Sequence, residues 1–245
     1  MNKSLLRYPQ GDRNVYYPTG EKHKKCIVIK RVSSGSIWEK RITKRIYDDC
    51  LDGECAIDIG ANIGVHTVSM LDGVSKYGYV IAFEPQKEIA NCLKNTLKDV
   101  NRSLKSSKLT NNFTVSGNLV SNKNSKSKFM SNGTGRSRIP IKGKRYNKVW
   151  KENEIKTVTL DHFIKTDIGY NKKKLPICLI KIDVEGHEFE VLEGAKNTIN
   201  NNRPIIYIEV WKDQGDIERL KKWCENNNYF MEPISPNDYR LLPYQ

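Results

Sequence analysis

Apolar and amphipathic segments alternate between residues 55 and 227, and this alternation constrains the fold more than any other feature of the sequence. Five apolar segments have the length and β-branched composition of buried strands: CAIDIG (55–60), YVIAFEP (79–85), FTVSGNLV (113–120), PICLIKIDV (176–184) and RPIIYIEV (203–210). Segments of about ten residues with helical spacing follow several of them: VHTVSMLDG (65–73), KEIANCLKNTL (87–97), EFEVLEGAKNTIN (188–200) and DIERLKKWCENN (216–227). Strands that alternate with helices indicate βαβ crossovers. We therefore expect an α/β domain whose mostly parallel sheet is covered by helices on both faces.

The N-terminal part of the chain carries weaker signals. Residues 1–35 look irregular except for a strand-like run at 26–32, and we interpret them as an N-terminal extension. An amphipathic helix is predicted over 36–51, because its apolar residues recur at helical spacing. The main domain is therefore predicted to span residues 36–245.

The positive charge of the chain belongs to one segment. Residues 101–174 hold 18 lysines and arginines against four acidic residues, an excess equal to the net charge of +14. Within them, residues 121–151 combine ten basic residues with many Ser, Asn and Gly, so we predict a mobile loop or short hairpin inserted in the domain. A local basic surface indicates an anionic partner such as nucleic acid, although such runs are usually solvated faces.

Composition argues against a membrane span and against cysteine-bound zinc. The longest apolar runs are far shorter than the ~20 residues that cross a bilayer, and the start MNKSLLRYPQGDRN lacks the apolar stretch of a secretory signal. Six scattered cysteines without a CxxC pair predict reduced thiols. We therefore expect a cytoplasmic protein.

Four acidic residues stand at or near the ends of predicted strands: Asp58, Glu84, Asp183 and Glu209. The carboxyl ends of parallel strands meet at one edge of a sheet, and ligands bind there at the point where the strand order reverses. We therefore expect these four side chains to share one rim.

The segment DIGANIG (58–64) joins a predicted strand to a predicted helix. Gly60 permits a tight turn, and Gly64 permits close packing of the helix start on the sheet. The dinucleotide pattern GxGxxG is not met, because Asn62 and Val65 replace two of its glycines, and an Asn side chain would crowd a pyrophosphate. A nucleoside joined to an amino acid fits better, and Glu84 could accept hydrogen bonds from its ribose hydroxyls.

These segments resemble the FkbM family of S-adenosylmethionine-dependent methyltransferases. The resemblance rests on DIGANIGVHT (58–67), AFEP (82–85), TLD (159–161), IKIDVEGHEFEVLEGA (180–195) and a strand ending at Glu209, and it extends from about residue 38 to about residue 209. It implies a seven-stranded Rossmann-like sheet of the class I methyltransferase type, S-adenosylmethionine as cofactor, and O-methylation, often of a sugar or natural-product hydroxyl. It also implies that Gly60, Ala61, Asn62 and Gly64 line the methionine part of the cofactor and that Glu84 holds the ribose; we count Asp58 with them. After the third strand, where relatives commonly have a short apolar-acidic turn, this chain has SGNLVSNKN.

The stretch LIKIDVEGHEFE (179–190) gathers ionisable groups at the end of a buried strand. Methyl transfer requires that the acceptor oxygen be held in line and lose its proton. Asp183 and His187 are therefore candidate catalytic residues, for acceptor positioning or as general base. Glu185, Glu209 and Trp211 are candidates for substrate binding.

Other interpretations of this stretch stay open. Glu185 and Glu188 could cap the following helix. Lys181, Asp183 and Glu185 could form an ion-paired row. A divalent metal such as Mg²⁺ or Mn²⁺ could be held by Asp183 with Glu185, His187 or Glu209.

Three functions are consistent with these features. The first is an S-adenosylmethionine-dependent O-methyltransferase acting on a hydroxyl of a sugar, a glycan or a related small molecule. The second is an RNA or DNA methyltransferase whose segment 121–151 tracks phosphates and offers Tyr146 and Trp150 for stacking on a base. The third is a non-catalytic nucleic-acid-binding protein on a methyltransferase scaffold, and the intact glycine loop and Glu84 argue against it.

Overall fold

A computed structural model describes residues 1–104, 112–131, 137–140, 150–171, 174–211 and 216–244 of the chain. The strands are β1 (Asn2–Tyr8), β2 (Gly11–Tyr17), β3 (Cys55–Ile59), β4 (Tyr79–Phe83), β5 (Phe113–Ser116), β6 (Leu119–Val120), β7 (Ser125–Ser131), β8 (Lys151–Val158), β9 (Ile177–Ile182), β10 (Ile205–Glu209), β11 (Tyr229–Pro233) and β12 (Asp238–Pro243). The α-helices are α1 (Ile27–Ser33), α2 (Lys40–Asp49), α3 (Val65–Val74), α4 (Lys87–Ser103), α5 (Leu160–Thr166), α6 (Ile168–Asn171), α7 (Glu188–Gly194), α8 (Lys196–Asn202) and α9 (Asp216–Asn227).

Seven strands form the central sheet, in the order β11-β12-β10-β9-β3-β4-β5. The strands from β10 to β5 are parallel, whereas β12 runs antiparallel to both of its neighbours. The prediction of a mostly parallel, seven-stranded α/β sheet is confirmed. From β3 the chain builds outward through β4 to β5, and from β9 it builds in the opposite direction, so the strand order reverses between β3 and β9.

The sheet is buried on both faces because its strands alternate apolar side chains between two clusters. Ala56 and Leu179 belong to the cluster that packs against helices α1 to α4. Ile57 and Ile180, one residue further along, belong to the cluster under α5, α7, α8 and α9. Every residue of β3, β4 and β9 is buried, as expected for strands covered on both faces.

The predictions for residues 1–35 were wrong at the level of secondary structure. Strands β1 and β2 pair as an antiparallel hairpin with Tyr8 opposite Gly11, and the run predicted as a strand at 26–32 forms helix α1. Its β-branched residues indicated a strand, but Ile29 and Val32 lie three positions apart and are buried together on one helical face. The hairpin shares the core cluster of α3 and α4, and the domain boundary at residue 35 stays a prediction.

The segment predicted as one strand at 113–120 divides between two sheets. Strand β5 ends the central sheet, whereas β6 pairs with β8 in a three-stranded sheet of order β6-β8-β7, here called the inserted sheet. Strand β7 pairs antiparallel with β8, of which only Lys151 belongs to segment 121–151, so a mobile loop or short hairpin in that segment stays a prediction. Residues 132–136 and 141–149 of that segment, with Tyr146, lie outside the described residues.

The helix predicted over 188–200 is interrupted at Ala195, which separates α7 from α8. The backbone N–H and the side-chain amide of Asn197, together with the N–H and hydroxyl of Thr198, donate hydrogen bonds to the Asp161 carboxylate at 2.7–2.9 Å. Asp161 therefore satisfies donors in the first turn of α8 that a continuous helix would have bonded internally.

Candidate functional site

The predicted site residues lie along the edge where the strand order reverses. A pocket opens there, here called the central pocket. Predicted site residues that line it are Gly60, Asn62, Glu84, Asp183, Glu185 and His187. Other walls come from Phe83, Pro85, Gln86, Asn118, Phe129 and Ile139. Its lining combines apolar walls with a few polar groups, which is typical of small-molecule sites.

The glycine loop between β3 and α3 requires glycine for two different reasons. Gly60 has φ 87°, and a Cβ at this position would lie 1.9 Å from the backbone oxygen of Asp183. Gly64 has φ 92° and precedes α3, and a Cβ there would lie 2.6 Å from the side chain of Leu93. Ala61 is buried, and its N–H donates to Phe83 O. Gly60 thus allows the loop to fold tightly against the ends of β4 and β9, whereas Gly64 allows the start of α3 to approach α4 rather than the sheet.

Glu84 connects this loop with the end of β4. One carboxylate oxygen accepts the N–H of Asn62 at 3.0 Å, and the other accepts the N–H of Gln86 at 2.8 Å. Asn62 donates from a left-handed conformation with φ 51°. Burial raises the pKa of Glu84 to about 7, although the two N–H donors favour the charged form. A carboxyl that lines the pocket with this pKa gains charge near neutral pH.

Asp58 lies beneath the pocket rather than in its lining. The side chain is buried, and one of its carboxylate oxygens accepts the Thr67 hydroxyl at 2.6 Å. The other oxygen has no hydrogen-bond partner among the described residues and lies 3.8 Å from the Lys181 ammonium. Asp58 therefore joins the start of α3 to the charges of β9.

A second, smaller pocket adjoins the central pocket on the far side of Asp183. Its polar lining consists of Glu39, Lys181, Asp183, Tyr207, Glu209, Asp238 and Tyr239. We call it the carboxylate pocket. Asp183 lines both pockets, so it is the point at which ligands in the two would approach each other.

The charges around Asp183 are unequal. Burial alone would raise its pKa, but the Lys181 ammonium at 3.2 Å and a hydrogen bond from Glu209 hold that pKa below its usual range. Burial and then the negative charge of Asp183 raise the pKa of Glu209 to about 10. At neutral pH the pair therefore consists of an ionised Asp183 and a protonated Glu209 that donates to it.

His187 lies where the loop after β9 meets the inserted sheet. Its Nε2 is 2.9 Å from the Ser121 hydroxyl, and its Nδ1 is 3.4 Å from Glu190. Burial lowers the pKa of His187, so the neutral imidazole predominates at neutral pH.

The glutamates of this loop have separate roles. Glu188 accepts the N–H groups of Gly186 and Val184 and so folds the loop before α7 rather than capping the helix, whose N-cap His187 has no side-chain cap hydrogen bond. Glu185, with φ 60°, pairs at 2.7 Å with Arg138, a residue of the basic segment. Of the proposed row of Lys181, Asp183 and Glu185, the first two are paired with each other, whereas the charge of Glu185 is directed to Arg138.

Trp211 and the proposed metal complete the predicted set. Trp211 is half-buried and is not among the described residues that line either pocket, and its indole N–H is buried without a partner there.

Within the described ranges, the structure contains no group of three or more His, Cys, Asp or Glu side chains placed to hold a metal ion. No helix in the described part of the chain is long and apolar enough to cross a membrane.

Several pocket residues were absent from the sequence prediction. Phe129, Ser137 and Ile139 come from the inserted sheet and its extension, and Asn118 comes from the turn after β5. Segment 121–151 drew attention through its charge, yet these contributions are apolar or neutral. A signal was present in Phe129-Met130, an apolar pair in a polar segment.

Comparisons with known proteins are consistent with this architecture. A family model described as the methyltransferase FkbM domain matches residues 58–231. A comparison with curated protein sequences found no match.

Two solved structures share the fold. One is the methyltransferase FkbM from Methylobacillus flagellatus KT, with 16% identity and a TM-score of 0.51; the match covers 82% of this chain and 51% of that protein. The other is a methyltransferase from Geobacter sulfurreducens, with 9% identity and a TM-score of 0.50, covering 94% of this chain and 91% of that one. The chain thus spans about half the length of the Methylobacillus protein, and at these identities the likeness concerns the fold alone.

Proposed function

The chain belongs to the FkbM methyltransferase family, and we propose that it transfers a methyl group from S-adenosylmethionine to a hydroxyl of a sugar, a glycan or a related small molecule. One observation carries this proposal. Asp183, an ionised carboxylate, lines both the central pocket and the carboxylate pocket. Its position fits a residue that orients an acceptor in one pocket toward a cofactor in the other.

The residues of the central pocket fit S-adenosylmethionine. Glu84 has a buried carboxylate whose oxygens each use one backbone N–H, which leaves lone pairs for ribose hydroxyls. Gly60 and Asn62 line the same pocket where α3 begins. The bound cofactor would supply an electrophilic methyl group on a sulfonium, and this chain would supply the position and deprotonation of the acceptor.

Asp183 and His187 have different roles toward the acceptor in this proposal. The lowered pKa of Asp183 keeps it ionised, so it can accept a hydrogen bond from a hydroxyl, but it also makes Asp183 a poor acceptor for the proton itself. His187 is kept neutral by burial and lines the central pocket, so it would take the proton of an acceptor hydroxyl that reaches past Asp183 into that pocket. Ser121 and Glu190 lie beside its ring nitrogens. Glu185 lines the same pocket beside them.

The carboxylate pocket supports a polyhydroxyl acceptor. Glu39, Asp183 and Asp238 provide hydrogen-bond acceptors for several hydroxyls, and protonated Glu209 provides a donor. A phosphate would meet repulsion from these carboxylates. Trp211 follows Glu209 by two residues and stays in the proposal as a flanking contact of a larger acceptor.

The described part of segment 121–151 lends little support to a nucleic-acid acceptor. Lys126 pairs with Glu154 at 2.7 Å, and Lys128 pairs with Glu152 at 3.0 Å. Both are cross-strand pairs between β7 and β8. These lysines are partly neutralised, which weakens their attraction for a phosphate backbone.

The test combines cofactor binding with methyl transfer. Wild type, Glu84→Gln and Glu84→Ala are titrated calorimetrically with S-adenosylhomocysteine, and we expect the alanine variant to lose about 1–3 kcal/mol of binding free energy. Transfer of a labelled methyl group is then measured with neutral sugars, amino sugars, sugar phosphates and RNA. Transfer to neutral or amino sugars supports the proposal. Preference for RNA would replace its acceptor, and a folded wild type that fails to bind would refute the cofactor assignment.

A further inference from the structure

The basic segment enters the wall of the central pocket. Ser137 and Ile139 line the pocket on either side of Arg138, and Phe129 of β7 lines it nearby. Alternate residues of an extended chain face the same side. Arg138 therefore lies between two residues of the pocket wall, so the contacts that fix Arg138 also fix Ser137 and Ile139.

Two sets of contacts hold Arg138. Its backbone N–H and C=O exchange hydrogen bonds of 2.9 and 2.8 Å with Met130, which attaches the stretch 137–140 to β7. Its guanidinium pairs at 2.7 Å with Glu185 of the loop after β9. The arginine therefore connects the inserted sheet to the loop that carries Asp183 and His187.

The Arg138–Glu185 pair is shielded from solvent. The two side chains are 13% and 14% exposed, whereas the two sides of the Lys126–Glu154 pair in the same sheet are 71% and 66% exposed. A shielded pair is screened little by salt, and removal of one partner leaves a charge with little solvation. Loss of the Arg138–Glu185 pair should therefore displace the wall residues Ser137 and Ile139, whereas loss of the exposed Lys126–Glu154 pair should not.

The other end of the inserted sheet is attached independently. Ser121 contacts His187, and the side-chain amide of Asn122 donates to Glu193 of α7 at 2.9 Å. Along the chain, Ser121 and Asn122 precede β7, whereas the wall residues Ser137 and Ile139 follow it. Breaking the Arg138 pair would thus loosen one wall of the pocket while the base of the sheet stays in place.

We propose that Arg138 is a positioning residue for cofactor binding, because its ion pair with Glu185 fastens the inserted sheet as a wall of the central pocket. This inference rests on the proposed function, since it takes S-adenosylmethionine as the ligand of that pocket. It assigns the charge of Arg138 to Glu185 rather than to an external phosphate.

The experiment is a double-mutant cycle on cofactor affinity. Calorimetry with S-adenosylhomocysteine compares wild type, Arg138→Ala, Glu185→Ala and the double variant, with Lys126→Ala as the matched control. We expect each single variant to weaken binding about tenfold, which corresponds to ~1.4 kcal/mol. The double variant should be no weaker than the weaker single variant, and the control should stay within about twofold.

The charge-swapped protein, Arg138→Glu with Glu185→Arg, separates pairing from general damage. We expect it to recover at least half of the lost binding free energy, and thermal unfolding checks that every variant is folded. Additive single effects, a Lys126→Ala effect as large as that of Arg138→Ala, or no effect of Arg138→Ala would each overturn the inference while leaving the proposed function intact. Absence of binding by folded wild type would instead refute the proposed function.

Discussion

The ammonium of Lys181 lies 3.2 Å from a carboxylate oxygen of Asp183, and the lysine side chain is 8% exposed. The same ammonium lies 3.8 Å from Asp58. One buried cation therefore balances a carboxylate beneath the glycine loop and a carboxylate between the two pockets. This arrangement explains how charged groups can end a strand in which every residue is buried.

Replacing Lys181 by Met should destabilise the fold. The variant leaves Asp58 and Asp183 without their shared counter-charge, and we expect the free energy of unfolding at pH 7 to fall by about 2–3 kcal/mol. This is below the ~3–5 kcal/mol of fully buried pairs, since 37% of the Asp183 side chain is exposed. Denaturant unfolding measures the change, and Lys44→Met, which breaks the exposed pair with Asp48, is the control with an expected loss below ~0.5 kcal/mol.

The pH dependence of this effect has a defined sign. Lys181 lowers the pKa of Asp183 in the folded protein, so the pair stabilises the fold above the unfolded-state pKa of ~3.9 and loses its effect as the pH falls through the folded value. The difference between wild type and Lys181→Met should therefore shrink in acid. A constant difference from pH 7 to pH 3 would contradict this account.

Affinity for S-adenosylhomocysteine should increase between pH 6 and pH 8. The pKa of Glu84 is about 7, and the ionised carboxylate is the better acceptor for ribose hydroxyls. If only the ionised form binds, the dissociation constant falls about tenfold over this range. Calorimetry at pH 6, 7 and 8 measures it. The slope should vanish in Glu84→Gln, and persistence there would assign it to another group such as Glu188, whose pKa burial also raises to about 7.

Gly60→Ala should destabilise the glycine loop and weaken cofactor binding. The added methyl group would meet the Asp183 backbone oxygen at 1.9 Å, and φ 87° disfavours any side chain. We expect a loss of at least ~1–3 kcal/mol in unfolding free energy, together with weaker cofactor binding. Gly117→Ala is the matched control, because apart from its two chain neighbours no atom of the described residues would lie within 4 Å of the added methyl group. It should leave stability unchanged within ~1 kcal/mol. Thermal unfolding of both variants compares them.

Glu209→Gln should stabilise the protein at alkaline pH. Folded Glu209 keeps its proton to a pKa of about 10, whereas the unfolded chain releases it near ~4.3. Wild-type stability therefore falls as the pH rises between these values, and glutamine removes this loss while remaining a neutral donor to Asp183. We expect a gain of roughly 1–3 kcal/mol at pH 8 that disappears near pH 4. Chemical unfolding at pH 8 and pH 4 measures this gain, with the exposed Glu225→Gln as control. Equal gains at both pH values would contradict the proposal that Glu209 and Asp183 share a proton.

Asp183→Asn and His187→Gln should separate catalysis from cofactor binding. We expect each to lower the rate of methyl transfer about 10²–10⁴-fold, the usual contribution of positioned acid–base groups. Affinity for S-adenosylhomocysteine should change less than in Glu84→Ala. A variant that retains the wild-type rate on the acceptor identified by the transfer assays would lose its catalytic assignment.

The periodicity of the sequence predicted the parallel strands of the central sheet, whereas the number of seven strands came from the family resemblance. Strands β3, β4, β9 and β10 and helices α3, α4 and α9 lie within a few residues of their predicted positions, because buried strands and amphipathic helices carry their burial pattern locally. The hairpin of β1 and β2 was missed, since only Leu6, Tyr8 and Val15 are buried in it and its other positions are polar or partly exposed. Its buried residues share a core cluster with α3 and α4, and the Tyr16 N–H donates to Thr96 of α4; local sequence does not express such long-range contacts.

For the site, the sequence determined which groups stand at strand ends, and the tertiary structure decided which of them act together. Asp58, Glu84, Asp183 and Glu209 were predicted to share one edge because parallel strands bring their carboxyl ends together. In the structure Asp58 is a buried support, Glu84 is a pocket-lining carboxyl, and Asp183 and Glu209 share a proton. These roles depend on Lys181, on backbone N–H donors and on burial. Likewise, net charge marked segment 121–151 as unusual, but only the folded chain places Arg138 on Glu185, 47 residues away. Charge and hydrogen-bond energies depend on distance and solvent exposure, and contacts between distant parts of the chain set both.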